Sequence, residues 1–117
     1  MDNYWFFGSP LICFGQNSLK FLQDIPGKRV FIVTDEFIEE NLLINVTEKL
    51  DEYGKDYDIF AEVLPDPPEE IVLKGVEKCN EINPDLIIAV GGGSSLDTAK
   101  AIWVMYERPD LDLDDIH

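Results

Sequence analysis

A glycine-rich stretch near residue 90 is the part of this sequence best suited to holding a ligand. It reads AVGGGSSLDTAK and covers residues 89–100. Consecutive glycines let backbone N–H groups approach an anion without obstruction by a Cβ atom. Ser94 and Ser95 add hydroxyl donors, and a helix that begins at about Leu96 would aim its positive end at the same point. The stretch therefore predicts an anion-binding turn between a strand and a helix.

The spacing within this stretch excludes three well-known glycine signatures. No Lys directly follows a glycine here, as the P-loop requires. A G-x-G-x-x-G pattern that starts at Gly91 places Leu96 where the last glycine belongs. Leu96 also stands where a nucleophile elbow has its second glycine. A tight strand–helix turn without a ligand stays open as the alternative, because such turns are common in α/β proteins.

Strands and helices are predicted to alternate along the chain up to and beyond this turn. Hydrophobic periodicity, capping residues and turn residues indicate two short strands at 4–7 and 11–14, helices at 18–25, 37–53, 69–82 and 96–106, and strands at 29–34, 58–64 and 86–90. This order predicts an α/β fold: a Rossmann-like parallel sheet flanked by helices on both faces, with an N-terminal β-hairpin.

Polar residues follow each of the three predicted parallel strands. Asp35 comes after the first strand, the Pro65-Asp66-Pro67 turn after the second, and the glycine stretch after the third. Ligands of open parallel sheets bind at the carboxyl ends of the strands, so we expect these features to meet at one site. Asp35 could equally serve as a helix N-cap, and the two roles are compatible.

Composition narrows the classes of partner. The chain has 117 residues and a formal net charge of −15, which disfavours nucleic acid and anionic membrane surfaces as partners. No apolar run approaches the roughly 20 residues that span a membrane, and the N-terminus lacks the basic start of a signal peptide. We expect one cytoplasmic domain. Cys13 and Cys79 lie in apolar stretches and are predicted to be buried thiols.

The acidic run near the C-terminus imitates the start of a calcium-binding loop. Residues 110–115 read DLDLDD, but Asp115 stands where the loop needs glycine, and no Glu closes it. A solvated linker is the better interpretation of the run. His117, the single histidine, is not expected to bind a metal.

Several motifs, in order, resemble the iron-containing alcohol dehydrogenase family. AVGGGSSLDTAK is similar to the family's GGGSxxDxxK nucleotide-binding signature, FGSPLICFGQNSLKFL to its opening hairpin and first helix, and GKRVFIVTDEF to its first nucleotide strand. VLPDPPEEIVLKGVEKCNEINPDLIIAVGGGS resembles its Pro-Asn-Pro turn and the helix and strand that follow. AKAIWVMYERPD is most similar to the alcohol-dehydrogenase half of bifunctional aldehyde–alcohol dehydrogenases.

The resemblance implies a site for a nicotinamide dinucleotide. Asp35 would face the adenosine ribose, where a carboxylate favours NAD over NADP. Asp66 stands where many members have Asn and can accept the same hydrogen bonds without donating any. The residues implied to line the pyrophosphate and nicotinamide-ribose region are Gly92, Gly93, Ser94, Ser95, Leu96 and Asp97.

The resemblance also implies parts of an active site that these residues do not supply. The family interconverts alcohols and aldehydes by hydride transfer and holds iron or zinc in a helical C-terminal domain, whose Asp and His ligands have no counterpart here. Residues 1–117 are therefore expected to be the N-terminal nucleotide-binding domain of a longer enzyme, and that enzyme is expected to be a homo-oligomer. The isolated chain should carry no catalytic residue and lack activity. Two alternatives stay open: a sugar-phosphate cyclase of the dehydroquinate synthase type, and a stand-alone α/β binding module.

Overall fold

The computed structural model describes residues 28–107, together with the backbone of residues 5–6 and 11–13. The helix predicted at 18–25, the acidic run at 110–115 and His117 lie outside the described residues. The elements in chain order are β1 (Trp5–Phe6), β2 (Leu11–Cys13), β3 (Arg29–Val33), α1 (Glu36–Asn41), α2 (Leu43–Glu52), β4 (Asp56–Phe60), α3 (Glu69–Ile82), β5 (Leu86–Ala89) and α4 (Gly93–Glu107).

The strands form one five-stranded sheet in the order β1-β2-β5-β3-β4. β3 pairs in parallel with both β4 and β5, and β2 pairs in parallel with β5. β1 runs antiparallel to β2 and forms the predicted hairpin. The α/β prediction is therefore confirmed, including the parallel sheet and the N-terminal hairpin.

Helices cover both faces of this sheet, as predicted. Alternate residues of β3 and β5 point to opposite faces because side chains alternate along a strand. One face packs against α3 and α4 through Phe31, Val33, Phe60, Val63, Val72, Cys79, Ile87, Ala89, Ala99 and Ile102. The other packs against α2 through Val30, Ile32, Leu43, Val46, Leu50, Leu86 and Ile88. Both central strands are thus buried on two sides, which explains their continuous apolar sequences.

The single helix predicted at 37–53 is wrong in one respect, because the structure breaks it at Leu42. The backbone of Leu42 has φ −129° and ψ −21°, and it separates α1 from α2. The break changes which residue faces the core. Leu42 is exposed and Leu43 is buried, whereas a continuous helix would have buried Leu42 with Val46 and Leu50.

The strand predicted at 58–64 is also shifted, since β4 covers Asp56–Phe60. Its register pairs Arg29 with Asp56 and Val33 with Phe60. β4 is an edge strand of the described sheet, and its first four residues are only partly buried or exposed. Its polar residues therefore obscured the hydrophobic pattern that marks a strand. Glu62 lies beyond the strand and pairs with Lys74 at 2.7 Å.

Asp85 fixes the end of the sheet opposite the glycine stretch. Its carboxylate accepts hydrogen bonds from the backbone N–H groups of Lys28, at 2.9 and 3.0 Å, and Arg29, at 2.9 Å. Partial burial alone would raise the pKa of Asp85, but these hydrogen bonds outweigh it and hold the pKa below its usual value. The ionised carboxylate therefore stabilises the start of β3 against the start of β5.

The depressed pKa of Asp85 predicts a pH-dependent stability. Asp85→Asn should lower the free energy of unfolding at pH 7 by about 0.5–1 kcal/mol, a small effect because the residue is exposed. The contribution of the Asp85 carboxylate to the free energy of unfolding is present above the usual Asp pKa of 3.8. It is lost as the pH falls through the lower pKa that Asp85 has in the folded state. Urea unfolding of both proteins between pH 7 and pH 3 measures this difference. A difference in the free energy of unfolding between the two proteins that stays constant down to pH 3 would contradict the stabilising role of the ionised Asp85 carboxylate.

Gly75 brings α3 close to α4. A Cβ atom at this position would lie 2.3 Å from Ile102 Cδ1 and 2.9 Å from Ile102 Cγ1. Ile102 is fully buried, so its side chain has little room to move away. The absence of a side chain at Gly75 thus lets the two helices pack on the sheet together.

Gly75→Ala is expected to lower the free energy of unfolding by about 1–3 kcal/mol through overpacking, in spite of alanine's higher helix propensity. Ile102→Val removes the clashing Cδ1 atom and alone should cost about 0.5–1.5 kcal/mol. Chemical denaturation of the unchanged protein, both single variants and the double variant measures a double-mutant cycle. The double variant should be less destabilised than the sum of the two, and strict additivity would show that the contact is unimportant.

Cys79 is a buried packing residue, as predicted for it. Burial raises the pKa of its thiol to about 12, so the group stays protonated at neutral pH. Its side chain belongs to the core face beneath α3 and α4. The side chain of Cys13 lies outside the described part of the chain.

Among the described helices, none is both long and apolar enough to cross a membrane.

Candidate functional site

Three strand ends meet at the carboxyl edge of the sheet, where the sequence predicts the site. Thr34, which directly follows β3, is fully buried and links its two neighbours. Its hydroxyl donates to the carbonyl of Val90 at 2.7 Å, and its backbone N–H donates to the carbonyl of Phe60 at 2.9 Å. The N–H of Val63 returns a bond to the Thr34 carbonyl at 3.2 Å. Thr34 therefore fixes the segments that carry the predicted site residues.

A groove of about 330 Å³ opens at this edge. The segment after β3, the segment after β4 and the glycine stretch after β5 each contribute to its wall. Its lining residues are Asp35, Glu36, Phe37, Val63, Leu64, Pro65, Gly92, Gly93, Ser94 and Ser95. The structure thus brings Asp35 and four residues of the glycine stretch into one groove, although they lie more than fifty positions apart in sequence.

The glycine stretch forms a turn that leads directly into α4. Gly91 has φ +132°, a conformation that residues with a side chain rarely adopt. Around Gly92 and Gly93, a Cβ atom would meet nothing within 4 Å, so the space beside their backbone is open. The helix begins at Gly93, three residues earlier than the predicted start at Leu96. The N–H groups of Gly93, Ser94 and Ser95 consequently lie in its first turn, where backbone donors lack helical partners.

Ser95 carries a buried hydroxyl that the fold itself does not use. The residue is 1% exposed, and its Oγ has no hydrogen-bond partner. A buried hydroxyl without a partner is costly, and a ligand oxygen in the adjoining groove would satisfy it. The fifteen-residue α4 has no acidic residue in its first turn that would offset its positive end. The groove next to Gly92 therefore suits a phosphate.

Asp35 caps a helix and lines the groove at once. Its Oδ1 accepts a hydrogen bond from the N–H of Ile38 at 2.8 Å, so the capping role considered from the sequence is real. A carboxylate has two oxygens and several acceptor sites, and the cap engages one of them. The side chain is partly exposed to the groove. Asp35 can therefore still accept a hydrogen bond from a ligand hydroxyl.

Three of the predicted site residues do not line this groove. Asp66 is exposed in the turn after β4 and has a left-handed φ of +48°, with its neighbour Pro65 in the groove wall. Leu96 packs against the core, and its N–H is bonded to the carbonyl of Gly92 at 3.2 Å. Asp97 is exposed one position further along α4. Their roles toward a cofactor stay predictions.

Sequence reasoning missed two kinds of contribution to the site. Thr34 acts through its hydroxyl and its backbone, which bond to segments remote in sequence, and its type and position gave no signal of these bonds. Phe37 and Leu64 are large apolar residues that remain exposed in the groove wall. Helical periodicity could have indicated that Phe37 is exposed, because Phe37 falls outside the helix face formed by Ile38, Val46 and Leu50.

The charges around the groove bear on which ligand it can hold. Among its lining residues the ionisable ones are Asp35 and Glu36, and none is Lys or Arg. Positive potential comes from the first turn of α4 alone, so the groove offers no side-chain cation to a second phosphate. Within residues 28–107, no group of three or more His, Cys, Asp or Glu side chains is placed to hold a metal ion.

Comparison with known proteins agrees with this geometry. Residues 9–117 match the family model described as iron-containing alcohol dehydrogenase. The bifunctional aldehyde-alcohol dehydrogenase of Escherichia coli strain K12 is 44% identical over 90 residues, covering 76% of this chain and 10% of that protein. An NADPH-dependent butanol dehydrogenase of Clostridium saccharobutylicum is 38% identical over 107 residues, covering 90% of this chain and 28% of that protein.

A solved structure shares the fold over nearly the whole chain. The iron-containing alcohol dehydrogenase of Thermotoga maritima superposes with a TM-score of 0.76 at 33% identity, over 95% of this chain and 33% of that one. This chain thus spans between a tenth and a third of the length of these relatives. Because the family model covers almost all of the sequence and the fold agrees, the chain belongs to the iron-containing alcohol dehydrogenase family.

Proposed function

We propose that this chain is the nucleotide-binding domain of a metal-dependent alcohol dehydrogenase that interconverts alcohols and aldehydes by hydride transfer. The observation that carries the proposal is the groove itself. It places the unpartnered hydroxyl of Ser95 and the first turn of α4 beside the Asp35 carboxylate. A dinucleotide carries phosphates, which the first turn of α4 could bind, and a ribose diol, which the Asp35 carboxylate could bind. Family membership favours this function over the sugar-phosphate cyclase that the glycine stretch also allowed.

The glycine end of the groove would bind the pyrophosphate. The N–H groups of Gly93, Ser94 and Ser95 and the Ser95 hydroxyl are available as donors, and the open space at Gly92 admits a phosphate oxygen close to the backbone. The backbone donors among them are held in place by α4. In this proposal they orient the cofactor and leave the chemistry to its nicotinamide, which donates or accepts the hydride when bound.

The Asp35 end of the groove would bind the adenosine ribose and select NAD over NADP. A carboxylate accepts a hydrogen bond from the ribose 2′-hydroxyl but repels a 2′-phosphate. Glu36 adds a second negative charge, and the groove lining offers no cation to offset either. One relative is named as NADPH-dependent, so cofactor choice differs among proteins of this kind. For this chain we propose NAD as the preferred cofactor.

The remaining components of the enzyme are proposals that rest on the family. Among the described residues, no group of three or more His, Cys, Asp or Glu side chains is placed to hold a metal ion. In the proposal, iron or zinc is held by residues outside the described part of the chain, and a small alcohol or aldehyde is the substrate. We also propose a cytoplasmic homo-oligomer, without nucleic acid or membrane as a partner.

Titration of the 117-residue chain with NADH tests the proposed function. The fluorescence of bound nicotinamide should rise to saturation with a dissociation constant on the order of 1 mM or below, and ADP-ribose should displace the signal. Gly92→Ala fills the space proposed for a phosphate oxygen and should weaken binding while the fold persists. No turnover of alcohol with NAD is expected from this chain alone. The absence of any signal that ADP-ribose displaces, at millimolar NADH, would refute the proposal.

A further inference from the structure

Helix α1 is held to the rest of the domain by few packing contacts. It has six residues, of which Ile38 is half-buried and the other five are exposed. The neighbouring α2 buries Leu43, Val46, Thr47 and Leu50. Isolated helices shorter than roughly 12–15 residues are marginal in water, because helices in proteins owe most of their stability to a packed face. We therefore expect α1 to open at a much lower cost in free energy than α2.

Both ends of α1 are joined to parts of the chain that the fold holds in place. Thr34, on the N-terminal side, is fully buried and is bonded to β4 and to the segment after β5. Leu43, on the C-terminal side, is 2% exposed. The structure ends α1 and begins α2 at Leu42. Residues 35–42 can therefore move as one segment while the sheet and α2 stay in place.

Two contacts made by Ile38 hold α1 in its observed position. Its N–H donates to Asp35 Oδ1 at 2.8 Å, which caps the helix. A Cβ atom at Gly91 would lie 3.7 Å from Ile38 Cγ1, so the side chain of Ile38 lies against the glycine turn. Glu36 and Phe37, the two residues before it, form part of the groove wall. Loss of the Ile38 contacts would therefore let that wall move away from the glycine turn.

We propose that α1 is a gate on the groove, in which residues 35–42 open as a unit and Ile38 is the latch that closes them on the glycine turn. The structure shows the closed form, in which Glu36 and Phe37 narrow the groove. In the open form the groove is wider, so that a ligand can enter or leave. A bound ligand that contacts α1 favours the closed form. The gate is a property of the free chain and does not depend on which ligand the groove holds.

Amide hydrogen exchange of the ligand-free 117-residue chain, followed by NMR, measures the opening. The Glu39 amide donates to the Asp35 carbonyl at 3.0 Å. Its protection factor should be on the order of 100-fold below that of the Leu50 amide in α2. Relaxation dispersion of the backbone nitrogens should show one process on the microsecond to millisecond timescale, shared by Glu39 and Gly91 and absent at Leu50. The shared process would show that the opening of α1 reaches the glycine turn.

Ile38→Ala removes the proposed latch and should lower the Glu39 protection factor about 5-fold, because a half-buried side chain loses its contact with the glycine turn. Ile82→Ala is the matched control. Ile82 is also half-buried, but it lies at the end of α3 and packs against the core. The control should leave the Glu39 protection factor unchanged even though it destabilises the domain, since α1 opens without α3.

Two results would overturn the gate. Protection factors of Glu39 and Leu50 within about 3-fold of each other would show that α1 opens only when the whole domain unfolds. A dispersion process at Glu39 that Gly91 does not share would show that α1 frays without changing the groove. A loss of Glu39 protection in Ile82→Ala as large as that in Ile38→Ala would support the first of these conclusions, because the opening would then depend on the whole core.

Discussion

Asp35→Ser is expected to change the ratio of NADH to NADPH affinity by on the order of 100-fold in favour of NADPH. The variant removes a carboxylate that lines the groove beside the proposed ribose position. NADH loses a hydrogen bond to a charged acceptor, a kind of bond worth about 1.5–3 kcal/mol. NADPH is relieved of repulsion between that carboxylate and its 2′-phosphate. Titration of Asp35→Ser and of the unchanged chain with each cofactor, at one fixed salt concentration, measures the ratio.

Serine is the right replacement because it separates the two roles of Asp35. Its hydroxyl can still accept the hydrogen bond that Asp35 takes from the N–H of Ile38, so the helix cap is kept. Glu36→Gln is the matched control, since it removes one negative charge from the adjacent position in the groove wall. That variant should change the ratio less than about 3-fold, through long-range charge alone. An unchanged ratio in Asp35→Ser would show that Asp35 is only a cap.

Gly91→Ala is expected to lower the free energy of unfolding by about 3 kcal/mol, because strain and a clash add at one residue. The backbone φ of +132° is unfavourable for any residue with a side chain. The new Cβ atom would also lie 2.9 Å from the Ser95 Oγ, which is buried. Relief of that contact would displace the Ser95 hydroxyl from its present position beside the groove. Loss of NADH affinity should therefore accompany the loss of stability, measured by denaturant unfolding and by titration.

Gly92→Ala is the control that distinguishes the fold from the site. A Cβ atom at Gly92 meets nothing within 4 Å, so the cost in stability should stay below about 1 kcal/mol, as for alanine at a helix N-cap. Its binding of NADH should nevertheless weaken, because the ligand would occupy that space. Equal unfolding midpoints for the two alanine variants would contradict the role assigned to Gly91.

The sequence predicted the architecture well wherever burial was complete. β3 and β5 are buried on both faces, so their apolar runs were unambiguous, and the helix at α3 was marked by its Pro-rich start and by apolar residues on one side. β4 was misplaced because an edge strand buries only part of its side chains, and the predicted strand, which began at Asp58, left out Asp56 and Tyr57. The break at Leu42 has no glycine or proline to signal it.

The site was predictable in its polar components and not in its apolar ones. Gly92, Gly93, Ser94, Ser95 and Asp35 could be found because parallel strands bring their carboxyl ends to one edge. Phe37 and Leu64 depend on where the chain turns after each strand, and that geometry cannot be read from composition. The earlier start of α4 likewise moved Leu96 into the core packing, because the helix recruits Gly93 as its first residue.

The location of NADH on the chain is the most direct test of the central claim. Backbone amide resonances can be followed by NMR while NADH is added to the 117-residue chain. We expect the largest shifts at Asp35 and at Gly92 to Ser95, with little change at Arg29 and Asp56 at the opposite end of the sheet. Shifts confined to that opposite end, or no shifts at millimolar NADH, would contradict a dinucleotide site at the carboxyl edge.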